Sequence, residues 1–201
     1  NDALQLLGTY KTLSFSASYN YIRNTAPTAL ARHETKADVL LKRVISIPSY
    51  STLSLGLDWS DSFGPYSPSI EVEFQKQLLK YSGLTFDRPM LELSTSHYVE
   101  LGKGWSVNAD ASYSSRSHSL FSEYSAKWSY SLMLSKEIGN FTFDLSLQNL
   151  FLDNKQYKTR RMAGIFAQEI EARDFSGVGL NVSYRIHSVK AAYRNKKASS
   201  E

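Results

Sequence analysis

The chain has 201 residues, a formal net charge of +4, 42% hydrophobic and 13% aromatic residues, and no cysteine. That length suits one domain or a piece of a larger one. The missing cysteine excludes disulfide frameworks, thiolate zinc sites and a cysteine nucleophile, and so small a positive surplus gives no footing for nucleic-acid binding. No apolar run reaches the roughly 18 residues of a spanning helix, and, with no basic start followed by a short apolar stretch, no signal peptide is expected within these residues. The mean hydropathy of −0.35 resembles that of a soluble protein. A membrane β-barrel also averages near neutral, because its strands alternate polar and apolar residues.

Taken in chain order, the strongest signal is period two. Ala3–Tyr10 reads as the tail of a strand. Leu13, Phe15, Ala17, Tyr19 and Tyr21 then alternate with Ser14, Ser16, Ser18 and Asn20. Ala37–Ile47 is a weaker strand, broken by Lys42 and Arg43. Leu53, Leu55, Leu57 and Trp59 stand against Ser54, Gly56, Asp58 and Ser60; Ile70, Val72 and Phe74 stand against Glu71, Glu73 and Gln75. Leu91–Val99 is again weak. Trp105, Val107, Ala109, Ala111 and Tyr113 alternate with Ser106, Asn108, Asp110 and Ser112. Ala126, Trp128, Tyr130, Leu132 and Leu134 alternate with Lys127, Ser129, Ser131 and Met133. Phe141, Phe143, Leu145 and Leu147 face away from Thr142, Asp144, Ser146 and Gln148. Met162–Glu171 is weak, broken at Gln168 and Glu169. Val178, Leu180, Val182, Tyr184 and Ile186 stand against Gly179, Asn181, Ser183 and Arg185. Successive side chains on a strand point to opposite faces, so each segment predicts a strand with one apolar and one polar face. Turn signals at 60–64, 102–104, 137–140 and 175–177 separate them. The expectation is an all-β, antiparallel up-and-down transmembrane β-barrel of about ten strands over residues 1–187, part of a larger barrel, with a basic periplasmic tail at 188–201.

The apolar face can meet a dry core or hydrocarbon. Small or mid-strand charged residues on the polar face, alternating runs of nine or more residues, and aromatics near strand ends (Tyr19, Tyr21, Trp59, Trp105, Tyr113, Phe151) favour lipid. Lipid also demands that every backbone group find a neighbour, which long antiparallel strands supply. A soluble lipocalin-type barrel alternates too and stays open as an alternative.

The end of the chain adds a resemblance. Asn149-Leu150-Phe151-Leu152-Asp153-Asn154-Lys155-Gln156-Tyr157 resembles the Asn-Leu-Phe-Asp…Tyr motif of TonB-dependent outer-membrane receptors, with Leu152 as one inserted residue. Phe175–Ile186 is similar to their closing strand, with Tyr184-Arg185-Ile186 in place of a final Tyr-Arg-Phe. The basic tail, Gln75-Lys76-Gln77, Phe86-Asp87-Arg88-Pro89 and Leu101–Trp105 resemble the Bacteroidetes branch of that family. The resemblance implies the C-terminal segment of a receptor of about twenty-two strands in the outer membrane of a Gram-negative bacterium, importing a siderophore, glycan or peptide. It implies a plug N-terminal to this segment, TonB acting through that plug, and a surface lipoprotein as a further partner. It also implies an orientation in which Ser60–Pro68 and Asp174–Gly177 are extracellular and the Asp153–Tyr157 turn is periplasmic, with short turns on both sides.

Parity on the polar face gives Asn20, Asp58, Glu71, Glu73, Gln75, Asn108, Lys127, Asp144, Gln148, Asn181 and Arg185 as candidate lumen-facing residues. His33, His97, His118 and His187 have no metal-ligand spacing. Glu71 and Glu73 share a strand face as an acid/base pair would, but no nucleophile or phosphate-binding motif accompanies them, so neither catalysis nor a cofactor is expected. Lys190, Arg194, Lys196 and Lys197 read as a solubilising tail. Two further alternatives compete with the receptor segment. One is a self-contained ten-stranded barrel that pairs the strand at Leu13–Tyr21 with that at Val178–Ile186. The other is a soluble barrel with Trp59, Trp105 and Trp128 in a ligand cavity.

Overall fold

The structure, a computed structural model, describes residues 2–36, 39–152, 155–162, 165–172 and 176–186. It is built on a long antiparallel meander. The wall runs through β1 (Asp2–Tyr10), β2 (Leu13–Thr25), β5 (Ile47–Ser60), β6 (Tyr66–Tyr81), β8 (Met90–Gly102), β9 (Trp105–Ser114), β12 (Lys127–Ile138), β13 (Phe141–Gln148) and β16 (Gly177–Tyr184), in that order across the sheet. A short β7 (Leu84–Phe86) pairs with β6, making ten strands in all. Between wall strands lie β3 (Thr28–Arg32) paired with β4 (Leu40–Val44), and a four-stranded sheet of β10 (Ser117–Ser119), β11 (Ser122–Tyr124), β14 (Lys155–Met162) and β15 (Ile165–Ala172).

Two of the three weak strands therefore form strands outside the wall. Ala37–Ile47 contributes β4 and the start of β5, while Met162–Glu171 contributes β15; only Leu91–Val99 belongs to the wall throughout. Their alternation fails because they do not separate hydrocarbon from water. The candidate closure between Leu13–Tyr21 and Val178–Ile186 is not formed. β2 is paired on both sides, by β1 and by β5, so it has no free edge. The sheet edges are β1 and β16.

The two ends of the wall differ. At one end the connections are tight: Lys11-Thr12, residues 61–65, Lys103-Gly104 and Gly139-Asn140. Two-residue hairpin turns need positive φ, and Lys103 (51°), Gly104 (75°) and Gly139 (60°) supply it. Gly104 also lies so close to β12 that a Cβ there would stand 2.6 Å from the Glu137 carbonyl oxygen. At the other end all the connections carrying β3–β4, β7, β10–β11 and β14–β15 are found. This overturns the expectation of short turns on both sides. Residues 60–68 lie at the tight end with the C-terminal end of β16, whereas Gly177 lies at the long end, so the two cannot both be extracellular. Lys155 and Tyr157 of the 153–157 segment also belong to the long end, opposite the tail side. Asp153, His187 and the tail at 188–201 fall outside the described residues.

Burial is inverted along the wall. In β13, Phe141, Phe143 and Leu145 are 46%, 37% and 40% exposed, whereas Thr142, Asp144 and Ser146 between them are half-buried. Trp128 (58%) and Val182 (52%) are exposed as well. Among the described residues, the buried apolar side chains are Ala29, Ile47, Leu79, Phe86, Phe121 and Ile165, all at the long end. A water-soluble barrel would bury its apolar face, and an apolar sheet face this broad is far beyond what a soluble monomer exposes. The soluble-cavity alternative fails here, since Trp105 is 41% exposed and Trp128 more so.

Strand register places aromatics at both borders of the apolar face. Tyr10, Trp59, Tyr66, Trp105, Phe141 and Tyr184 line the tight end, and Tyr19, Tyr21, Tyr113 and Trp128 the other. Phe151, expected among them, stands off the wall beyond β13. Trp105 and Tyr113 bracket β9; at about 3.4 Å per residue and a tilt near 40°, their separation spans about 21 Å of bilayer, close to the ~25 Å apolar band of such barrels. Polar groups on this face are tied at the border. The Lys136 ammonium lies 4.8 Å from the Trp105 ring centroid and donates to the Lys103 carbonyl at 2.5 Å, a side chain bent toward the rim. His97 and the Tyr66 hydroxyl share a 2.7 Å hydrogen bond.

In bilayers carrying spin-labelled lipids, tryptophan fluorescence should be quenched more strongly by a label near the headgroups than by one at the chain ends. Indifference to both labels would mean that the apolar face does not meet lipid.

Candidate functional site

The polar face forms the site. Opposed residues on neighbouring strands share a face, so the register draws rows across the wall. One row runs Ser14, Asp58, Glu71, Ser94, Ser112, Ser129; another runs Ser96, Asp110, Ser131, Gln148. All ten strand residues proposed from sequence parity (Asn20, Asp58, Glu71, Glu73, Gln75, Asn108, Lys127, Asp144, Gln148, Asn181) lie on this one face. Arg185 follows the end of β16, its backbone N–H donating to the Asn140 carbonyl at 2.8 Å. The sheet curves around this face into an open trough of about 490 Å³, lined by Asp58, Glu71, Ser94, Asp110, Ser129 and Gln148 among others.

Hydroxyls and amides satisfy the carboxylates at its centre. Asp110 accepts from Asn108 Nδ2 at 2.7 Å and from Ser131 Oγ at 2.9 Å. Asp144 accepts from Ser135 Oγ at 2.7 Å and Asn181 Nδ2 at 3.3 Å. The Ser112 and Ser129 hydroxyls meet at 2.6 Å. Glu71 stands opposite Asp58, and Glu73 opposite Glu92. Like charges facing each other across a ladder are unfavourable unless water or a ligand screens them. The histidines are dispersed: His97 is on the apolar face, His33 bonds Thr35, and His118 is in β10.

At the long end the loop between β9 and β12 folds back over this face. Gln77, whose parity matches Gln75, is buried there and makes three bonds. Its Nε2 donates to the Phe86 and Leu120 carbonyls at 2.7 and 2.8 Å, and its Oε1 accepts the Leu120 N–H at 2.8 Å. Phe121 packs edge-on against Phe86 and Tyr81, in the apolar cluster that includes Leu79, Ile47 and Ala29. The Arg88 N–H donates to His118 Nδ1 at 3.1 Å, and the His118 N–H to the Arg88 carbonyl at 3.1 Å. Arg88 and Glu123 add an ion pair. Beside these bonds a pocket of about 120 Å³ is lined by His118, Ser119 and Leu120 of the loop and by Thr52, Gln75 and Gln77 of the wall. The hairpin of β10 and β11 thus overhangs one end of the trough. Sequence parity found Gln75 and missed Gln77, because the two read alike until a loop some forty residues away is seen to dock on one of them.

A family model described as "Outer membrane protein beta-barrel family" matches residues 2–184. The chain belongs to that family. It is therefore an outer-membrane protein of a Gram-negative bacterium, and its apolar face meets outer-membrane lipid. No curated protein and no solved structure matches the chain.

Within this barrel the Asn149-Leu150-Phe151 segment has a defined job. Asn149 adopts φ 48°, a left-handed conformation asparagine tolerates well. Its N–H donates to the Tyr130 carbonyl at 3.0 Å, and its Oδ1 accepts the Tyr130 N–H at 2.8 Å. One residue thus completes the ladder to β12 while turning the chain off the wall. The Tyr130 hydroxyl donates to the Leu150 carbonyl, fixing the exit. Tyr157 is held by Ser125, whose Oγ accepts the Tyr157 N–H at 3.0 Å and whose N–H meets the Tyr157 carbonyl at 2.9 Å. Tyr184 ends the last strand opposite Phe141, the ring centroids 4.8 Å apart.

Two outcomes are expected at the overhang. Gln77→Ala should orphan buried backbone groups and destabilise the docked hairpin by about 1–3 kcal/mol, read as faster amide exchange at Leu120, whereas exposed Gln75→Ala should change it by less than about 0.5 kcal/mol. Burial lowers the His118 pKa below its usual value; Glu123 opposes this, Arg88 adds to it, and Asp87 opposes it. The folded state thus prefers neutral His118 more than the unfolded state does. Its contribution is intact above the usual histidine pKa of about 6.5 and declines as pH falls below it. After correction for intrinsic rates, Leu120 exchange should be faster at pH 5 than at pH 8 in the wild type and pH-independent in His118→Gln.

Proposed function

We propose that this chain is the C-terminal part of the wall of a larger outer-membrane barrel that imports a nutrient, in the manner of TonB-dependent receptors. The carrying observation is the trough: a continuous hydrophilic face, backed by an apolar one, between two sheet edges that have no partner among the described residues. β1 and β16 run in the same direction from the long end to the tight end. Joining them directly would make a parallel seam, so a wholly antiparallel barrel closes only with further strands, odd in number. The resemblance around Asn149–Tyr157 and Tyr184-Arg185 supports the receptor reading. In it, a plug formed elsewhere in the protein receives TonB, a surface lipoprotein covers the mouth, and no chemistry is catalysed.

Outer-membrane barrels have short periplasmic turns and longer extracellular loops. That rule puts the β3–β4, β10–β11 and β14–β15 hairpins outside the cell and the Lys103-Gly104 turn in the periplasm. The wall residues that a cargo would pass are Asp58, Glu71, Glu73, Asp110 and Asp144, with Lys127 and Arg185 as the cations of the same face. The overhang of Ser119 and Leu120 would narrow their mouth.

The test is uptake in cells expressing the full-length protein. Accumulation of one cargo among siderophores, glycans and peptides should require both this protein and TonB, and should stop when the proton-motive force is dissipated. Uptake indifferent to TonB would leave a passive barrel, and binding of no cargo by the purified protein would leave a structural one.

A further inference from the structure

We infer that the long-end border of the apolar face, around Arg23, Lys76 and Lys80, is a binding surface for the phosphate groups of membrane-lipid headgroups. The register assembles it. Tyr19, Leu53 and Lys76 form one row across β2, β5 and β6; Tyr21, Ser51 and Leu78 form the next; Arg23 and Ser49 begin a third. Lys80 lies two residues beyond Leu78 on the same face of β6. All these positions share the side of the sheet that carries Ile70, Val72 and Phe74, the side that meets lipid.

β6 separates charge by face. Toward the trough it presents Glu71, Glu73, Gln75 and Gln77, while on the lipid side Ile70, Val72 and Phe74 give way to Lys76, Leu78 and Lys80. The lysines begin where the apolar run stops, Lys76 level with Tyr19 and Lys80 one row beyond Tyr21. Leu78 between them is 49% exposed. Exposed leucine between two lysines suits neither bulk water nor hydrocarbon; it suits the boundary, where stems lie in the acyl region and ammonium groups reach the headgroups. No acid stands across the ladder from either lysine, since Lys76 faces Leu53 and Lys80 faces Thr85. Arg23 is paired with Asp2 and lies 5.1 Å from the Tyr21 ring centroid. The Tyr19 hydroxyl and Ser51 Oγ, 2.8 Å apart, bring further polar groups to the same patch. Cations at a membrane border attract anionic lipid at about 1 kcal/mol each. Which leaflet supplies the lipid rests on the orientation proposed above; the patch itself rests only on the apolar face meeting lipid.

The test uses the full-length protein, purified in detergent and stripped of lipid. It is offered phosphatidylcholine vesicles containing either a phosphorylated glycolipid or the same glycolipid with its phosphates removed, and retained lipid is weighed by native mass spectrometry. The wild type should retain the phosphorylated form preferentially. Lys76→Gln with Lys80→Gln should lower that retention by about five-fold per neutralised cation, while Lys127→Gln on the trough face should leave it unchanged. Equal retention of the two glycolipids by the wild type, a comparison that needs no variant, would overturn the assignment. So would undiminished retention in the double variant, or displacement of the lipid by millimolar inorganic phosphate. The orientation is read separately, by labelling Lys42→Cys from outside intact cells. Its failure would move the patch to the inner leaflet without altering the retention result.

Discussion

A backbone N–H or C=O left unpaired in hydrocarbon costs several kcal/mol, and no water is there to relieve it. That constraint governs the whole molecule. The wall ladders run in regular register, with one irregularity between Glu100 and Gly102 near the tight rim. Left-handed non-glycine residues, Lys11, Asn24, Ser82, Lys103, Leu120, Asn149 and Phe151, all fall in turns, in loops or beside a strand end. Regularity is kept where lipid would punish a gap, and conformational variety begins where water or packed protein takes over.

The same division decides how the faces are furnished. The chain carries a net charge of +4, yet the sheet face that forms the trough carries Asp58, Glu71, Glu73, Glu92, Asp110 and Asp144 against Lys127 in the strands. Basic residues gather instead on the long-end hairpins, at Arg32, Lys42, Arg43, Lys155, Lys158 and Arg160, and on the lipid border. Asp110 and Asp144 are held by serines and asparagines in place of cations. Hydroxyls and amides stabilise a carboxylate without cancelling its charge, so the trough keeps a negative field.

The wall was legible because alternation is a direct record of two different solvents on two sides of a strand. Where only one solvent is present, the record fades: β4 with Lys42 and Arg43, and β15 with Gln168 and Glu169, read as strands but not as positions in the wall. Orientation was misread for a related reason. Counting crossings back from the last strand takes Ala37–Ile47 and Met162–Glu171 as wall strands, which they are not, so Ser60–Pro68 falls at the tight end, where Phe63 and Tyr66 are bonded to each other. The long connections disguise their length by containing strands of their own. Gln77 was invisible because its partners, Phe86 and Leu120, are main-chain groups that no residue pattern announces. Asn149 was found through resemblance alone; its two bonds to Tyr130 show why asparagine suits that place.

The position of the packed apolar cluster has one more consequence. Ile47, Leu79, Phe86 and Phe121 exclude water in the ordinary way of a small globular core, whereas Leu145, Val182 and Trp128 have hydrocarbon as their native surroundings. Urea acts from the aqueous phase by solvating apolar and peptide groups, so it reaches the first set and barely the second. The rim of this barrel can therefore come apart while its staves stay standing.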